Sequence, residues 1–367
     1  MFGSALHSHR VTRPDARAGR GAPENRTPTR FNLPEREADG DWLDVREEHD
    51  GLPPLRTTVT VEKPKTVVTR NASPDIGFDR SINAYRGCEH GCIYCFARPT
   101  HAYHDLSPGL DFETKLFAKP DAPKLLREEL AKPGYSPRPI ALGTNTDPYQ
   151  PIESKWRITR GILEVLAETR HPVTITTKSD RVLRDLDIIS AMAADGLIGV
   201  AVSVTSLTPE ISRTLEPRAP STRKRLAAVK ALSAAGVPTL VAIAPVVPGI
   251  TDAELEHIVE AAAEAGASGA FYLPVRLPHE VAPLFRAWLD EHFAERAGKV
   301  MHIIQSLRGG RDNDPNFFSR LRGFGPWADL LEVRFNRAAK KAGFTGERRK
   351  LRTDLFVPPQ GPQLRLL

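Results

Sequence analysis

All three cysteines of this 367-residue chain fall in one stretch, Tyr85-Arg86-Gly87-Cys88-Glu89-His90-Gly91-Cys92-Ile93-Tyr94-Cys95-Phe96. Their spacing is C-x3-C-x2-C. Cysteines scattered through a core would not converge on one short loop. Thiolates this close suit a metal site, because a loop flexed at Gly87 and Gly91 can turn three sulfurs toward a common centre. A fully protein-ligated iron–sulfur cluster or a structural zinc usually takes four ligands. Three thiolates leave one iron of a [4Fe–4S] cluster open, and substrate chemistry needs an open position. Two other readings of the same residues stay open. Zinc could recruit His90, His101 or His104 as a fourth ligand, or the thiols could be reduced, buried and inert.

The stretch resembles the signature of the radical S-adenosylmethionine (SAM) superfamily, C-x3-C-x-aromatic-C, with Tyr94 as the aromatic. The resemblance implies that Cys88, Cys92 and Cys95 hold a [4Fe–4S] cluster whose fourth iron is chelated by the amino and carboxylate groups of SAM. It implies reductive cleavage of SAM to methionine and a 5′-deoxyadenosyl radical, which abstracts hydrogen from substrate. It also implies a reductase such as flavodoxin or ferredoxin as electron donor.

Elements able to position this loop alternate along the chain. Thr57–Val61 and Thr66–Thr69 read as a hairpin, and Ser81–Tyr85 as the first core strand, leading directly into the cysteine loop. Strands are then expected at 139–143, 173–177, 198–204, 237–246 and 269–275. Helices are expected at 122–132, 155–169, 180–194 (capped by Asp180), 223–235, from Thr251 or Asp252 to 265, and 281–294. Apolar, unalternating strands between helices mean a parallel sheet covered on both faces. The fold class is α/β, a partial (β/α)6 TIM-like barrel with a disordered N-terminal extension and a small C-terminal one. Its active face lies past the C-terminal ends of the strands.

At those strand ends sit Gly143-Thr144-Asn145-Thr146-Asp147, Lys178, and Ser203 with Thr205 on one strand face. The resemblance implies that these residues, with Tyr94, bind SAM: the glycine-led run its amino group, Lys178 and the hydroxyls its carboxylate or ribose. Asn83–Cys88, Gly143–Gln150, Thr176–Lys178 and Glu216–Arg223 are similar to the spore photoproduct lyase-like branch of the superfamily. That branch implies an alternative activity, a lyase acting on a nucleic-acid lesion. The lyase itself returns a hydrogen atom from an additional cysteine, and this chain has none. Tyr85, Tyr103, Tyr149 or Tyr272 would have to substitute.

Three segments follow: an Arg/Pro-rich extension at 1–58, the barrel at 59–296, and a basic extension at 297–367. Of the net charge of +6, residues 1–30 supply four, with six arginines against Asp15 and Glu24. The charge is therefore mostly a tail property and argues only weakly for a nucleic-acid partner of the folded body. Between Gln305 and Arg352, twelve Lys or Arg face five acids, interleaved with Phe317, Phe318, Phe324, Trp327 and Phe335. Basic residues among aromatics can grip phosphates and stack bases. A helical cap with buried aromatics and solvated charges is the plainer expectation. A zinc-stabilised nucleic-acid-binding module would use the same region. Clustered thiols suit a reducing, cytoplasmic setting, and no membrane span is read: the most apolar run, Val237–Val247, is short and broken by Pro238 and Pro245.

Overall fold

The computed structural model describes residues 19–28, 55–346 and 350–359. Its strands are β1 (Thr58–Val61), β2 (Val68–Arg70), β3 (Arg80–Ile82), β4 (Tyr85–Arg86), β5 (Lys115–Ala118), β6 (Ile140–Leu142), β7 (Val173–Thr177), β8 (Ile198–Ser203), β9 (Thr239–Val246) and β10 (Gly269–Pro274). Six of them, β3, β6, β7, β8, β9 and β10, lie side by side in that order and all run parallel. Strand β2 adds an antiparallel edge on β3. A strand packed on both faces needs no polar alternation, and all three residues of β6 are buried.

The longer helices are α1 (Ala122–Leu130), α2 (Ile158–Glu168), α3 (Leu186–Ala194), α4 (Thr222–Ala234), α5 (Leu255–Glu264), α6 (Val281–His292), α7 (Ala294–Ser306) and α8 (Gly325–Lys341). Each of the first five buries one stripe against the sheet. In α5 it is Leu255, Ile258, Val259 and Ala262, the spacing of a single helical face. Each such fully buried Leu or Ile is worth about 1.5–3 kcal/mol over an exposed one.

A second apolar cluster caps the C-terminal ends of the strands. It joins Ile93 and Tyr94 of the cysteine loop to Leu215, Val247 and Val275, and to Phe285, Trp288, Val300 and Ile304 of α6 and α7. The two ends of the sheet are tied as well. Asp75, in the β2–β3 connection, accepts from Phe318 N (2.9 Å) and from Arg320 Nε and Nη2 (2.7 and 2.6 Å).

The structure departs from the sequence reading in local ways. Strands β1 and β2 form no hairpin: β1 pairs in parallel with β5, and β2 pairs with β3. The expected first strand is split, because β4 leaves the barrel to pair with β5. The cysteine loop therefore leaves a small three-stranded sheet rather than the barrel itself. The helix expected over 155–169 breaks at Arg157, whose φ is 51°. Ser179, not Asp180, caps the turn after β7, accepting from Arg181 N. The Thr251 hydroxyl accepts from Val247 N (2.8 Å) instead of capping α5.

The expectation of a loosely attached N-terminal extension does not hold where the extension is described. Residues 20–24 are all buried, and the reason is a set of hydrogen bonds to the cysteine region treated below. The remainder, 1–18 and 29–54, lies outside the described residues. In the C-terminal extension, Trp327 and Phe335 pack on the barrel core, while Phe317, Phe318 and Phe324 are exposed. Charges on α8 pair with α5, Arg334 with Glu256 and Lys341 with Glu260. No helix among the described residues is long and apolar enough to cross a membrane.

Candidate active site

Backbone and side-chain bonds drape the cysteine loop over the strand ends. Thr146 Oγ1 donates to Gly87 O (2.8 Å), Gln150 Nε2 donates to the same carbonyl (3.2 Å), and Gln150 Oε1 accepts from Glu89 N (2.9 Å). On the far side Ile93 N donates to Leu215 O (3.1 Å) and Arg218 N to His90 O (3.3 Å). Cys88 and Cys92 are buried, and Cys95 is half-buried. Burial, with Lys178 and Arg225 opposing it and Glu216 and Cys95 reinforcing it, leaves the Cys92 thiol pushed up to about 12. Burial likewise raises the Cys88 thiol, so without a metal Cys88 and Cys92 keep their protons.

Beside the loop lies a fully buried charged group. Glu216 accepts from the Tyr94 hydroxyl and from Thr205 Oγ1 (2.6 Å), and it pairs with Arg225. Burial alone would raise the Glu216 carboxyl. Arg225, then Lys178, then the two hydroxyls outweigh it and bring it down to about 2. Lys178 Nζ sits 5.8 Å from the centre of the Tyr94 ring. Burial pulls its ammonium down, but Glu216 and the Cys92 sulfur more than offset this and leave it raised.

The run after β6 divides its work. Gly143 has φ +88°, and a Cβ there would lie 2.0 Å from Thr176 O, so only glycine fits against the end of β7. Thr144 and Asn145 N bond to Asn83 (3.0 Å each), and Thr146 holds Gly87. Asp147 accepts from Thr177 Oγ1 and Lys178 N, both 2.7 Å, and from Tyr149 N (2.9 Å), with His90 Nδ1 at 3.4 Å. Burial opposes its charge, but His90 and these donors bring it down to about 2. Asp147 thus fixes the backbone that carries Lys178. The Asn145 residue is exposed. Ser203 is buried at the end of β8, its carbonyl taking Arg225 Nη1 at 3.2 Å, while the Thr205 hydroxyl is committed to Glu216.

The candidate zinc ligands are otherwise engaged. His101 Nε2 meets Lys115 O at 2.8 Å, and His104 stacks on Phe117. Among the described residues no three His, Cys, Asp or Glu side chains form a group that could hold a single ion. A cubane cluster asks less, since each thiolate binds a different iron.

Sequence reasoning missed Glu216 and Arg225 as a pair. Arg225 was legible: it shares the buried face of α4 with Ala228, Val229 and Leu232, an odd place for an arginine. Arg98, Glu113 and Gln150 carry no comparable signal.

Comparison with known proteins agrees with this geometry. Residues 82–262 match the Radical SAM superfamily. Over 247 residues the chain is 40% identical to the uncharacterized protein Rv2578c of Mycobacterium tuberculosis, covering 67% of this chain and 72% of that one. It is 27% identical over 241 residues to the uncharacterized protein MJ0683 of Methanocaldococcus jannaschii, covering 66% and 86%. The fold is similar to spore photoproduct lyase complexed with dinucleoside spore photoproduct, at a TM-score of 0.54 and 17% identity over 78% of this chain and 80% of that chain. A mutant of that lyase with the same ligand gives 0.55 and 14% identity over 87% of each chain. With its clustered thiols gathered at the C-terminal ends of a parallel α/β sheet, the chain belongs to the radical SAM superfamily.

Proposed function

We propose that this enzyme holds a [4Fe–4S] cluster on Cys88, Cys92 and Cys95 and binds SAM in the adjoining strand-end loops. The observation that carries the reading is the setting of the three thiols, gathered beside two cations, the half-buried Lys178 and the fully buried Arg225. This donor set fits a thiolate-ligated cluster, whose negative charge those cations would offset. A bound cluster supplies the electron that cleaves SAM to methionine and a 5′-deoxyadenosyl radical.

The chain's own residues do the rest. Lys178 pairs with the SAM carboxylate, and Asp147 sets the position of Lys178 through its backbone N–H. Gly143 and Asn145 offer backbone and an amide to the amino group. Glu216, paired with Arg225, keeps Tyr94 turned inward, and Ser203, at the end of its strand, holds Arg225 through its carbonyl. Anaerobic reconstitution with iron and sulfide tests the reading. A brown protein that releases 5′-deoxyadenosine on reduction supports it, and a colourless zinc protein overturns it. Lys178→Ala is expected to keep its iron but bind SAM about tenfold or more weakly, since a charged contact to a carboxylate is worth ~1.5–3 kcal/mol. Isothermal titration showing unchanged affinity at full iron content would remove Lys178 from the site.

A second reading, a lyase acting on a nucleic-acid lesion, is favoured by the fold likeness to spore photoproduct lyase. Exposed Phe317 and Phe318 beside Arg320 would suit stacking of bases. Even so, repair by a cysteine-quenched route is not expected, because the chain's three thiols are the proposed iron ligands. Three of the tyrosines are poor substitutes: Tyr94 and Tyr85 are bonded to Glu216 and Glu153, and Tyr149 is wholly buried under Arg184. Incubation of reduced enzyme with SAM and a spore-photoproduct dinucleotide, without added thiol, should give slow SAM cleavage and little clean product. Multiple-turnover conversion to thymines would refute this.

A further inference from the structure

Residues 20–26 lie outside the matched family region, yet they are stitched to the floor of the cysteine loop. Gly21 N and Ala22 N donate to the two carboxylate oxygens of Glu113, at 2.9 and 2.8 Å. Arg20 Nη1 donates to Glu113 O (3.0 Å), and its Nη2 to Leu55 O (2.7 Å). Further along, Asn25 exchanges hydrogen bonds with Asp111, and Arg26 N donates to Ser107 Oγ (2.7 Å). The fit is close. A Cβ on Gly21 would lie 1.8 Å from Gly91 O, and one on Gly109 would lie 2.0 Å from Glu24 O. Ala22 joins the apolar cluster of Cys92, Ile93, Tyr94 and Leu110.

Glu113 is also the counter-charge of Arg98, at 2.5 Å, and both are fully buried. Arg98 spends its remaining donors on carbonyls: Cys92 O (2.9 Å), Gly91 O (3.0 Å), Pro108 O (3.1 Å) and Gly109 O (2.9 Å). All five guanidinium N–H groups are therefore used, two of them on the cysteine loop itself. Carbonyl dipoles turned toward Arg98 are turned away from whatever the sulfurs hold.

We infer that residues 20–26 are a strap belonging to the cysteine site, and that Arg98 and Glu113 are positioning residues through which it fixes the loop and keeps solvent from the bound group. The inference rests on the reading that the loop holds an iron–sulfur cluster. Hydrogen bonding and solvent exclusion around such a cluster govern its potential and its retention.

The test uses the full-length chain as wild type, Gly21→Val, Glu113→Gln, and Gly298→Ala as a control, since a Cβ at Gly298 meets nothing within 4 Å. Iron-free protein is treated with trypsin and cleavage after Arg20 is read by mass spectrometry. Wild type and Gly298→Ala should resist, and the other two should be cut. Reconstituted protein is then challenged with an iron chelator. Gly21→Val and Glu113→Gln should lose iron ~10-fold faster, the size of effect usual for groups that support metal ligands. Their reduced-cluster EPR signal should also shift. If Glu113→Gln does not fold, Gly21→Val, which leaves the Arg98–Glu113 pair in place, decides alone. Equal iron loss with an unchanged EPR signal overturns the strap while leaving the cluster reading intact. So does a Gly21→Val chain that trypsin spares. A wild-type chain that takes up no iron overturns the cluster reading, and the strap inference falls with it.

Discussion

A Cys92→Ala chain, reconstituted anaerobically with iron and sulfide, should retain no stable, SAM-responsive cluster. With only three cysteines in the chain, loss of one leaves two protein ligands and no spare thiol. Nor is a histidine well placed to step in. His90 is turned toward Asp147, and His101 is held by a backbone carbonyl and packed edge-on against Phe112. The substitution should spare the fold, because a buried free cysteine packs as a small hydrophobe and its loss costs on the order of 1 kcal/mol. Iron and sulfide analysis, with circular dichroism as the check on folding, separates the two effects. An intact SAM-responsive site in the Cys92→Ala protein would sink the assignment.

The second large effect is expected at Glu216. Glu216→Gln leaves the fully buried Arg225 without its carboxylate partner, and breaking a buried pair of this kind typically costs about 3–5 kcal/mol. The pH dependence has a definite sign. The Glu216 carboxyl is brought down from an ordinary 4.5 to about 2 in the folded chain. Its contribution, about 3 kcal/mol by linkage, is complete above pH 4.5 and is lost as the pH falls toward 2. Guanidinium unfolding of iron-free wild type and Glu216→Gln should therefore diverge at pH 7 and converge in acid. A gap of constant size between pH 7 and pH 3 would mean that packing, not charge, sets the difference.

Much of the barrel was legible because its strands announce themselves. The segment Val173–Thr177 is bounded by a turn on each side and is the strand observed, residue for residue. The cysteine loop stood out for a different reason: thiols are rare, and three in one loop need an explanation. The small sheet was not legible. Tyr85 and Arg86 continue the pattern of the strand before them, and only the distant partner β5 diverts them. The buried supports escaped notice for the same reason. Glu113 and Arg98 look like surface charges in sequence, and only the three-dimensional convergence of backbone groups on them reveals their place. Asp147 and Thr205, read from sequence as candidate SAM contacts, bond to Lys178 N and to Glu216, supports the sequence does not announce.

The second apolar cluster bears on how such enzymes diversify. The matched family region ends at residue 262, whereas much of the cover over Ile93 and Tyr94 comes from α6 and α7, residues 281–306. Substitutions on α6 and α7 can therefore reach the packing around the cysteine loop without touching a strand-end residue. Changes in that helical roof would alter what fits over the loop while leaving Cys88, Cys92 and Cys95 in place.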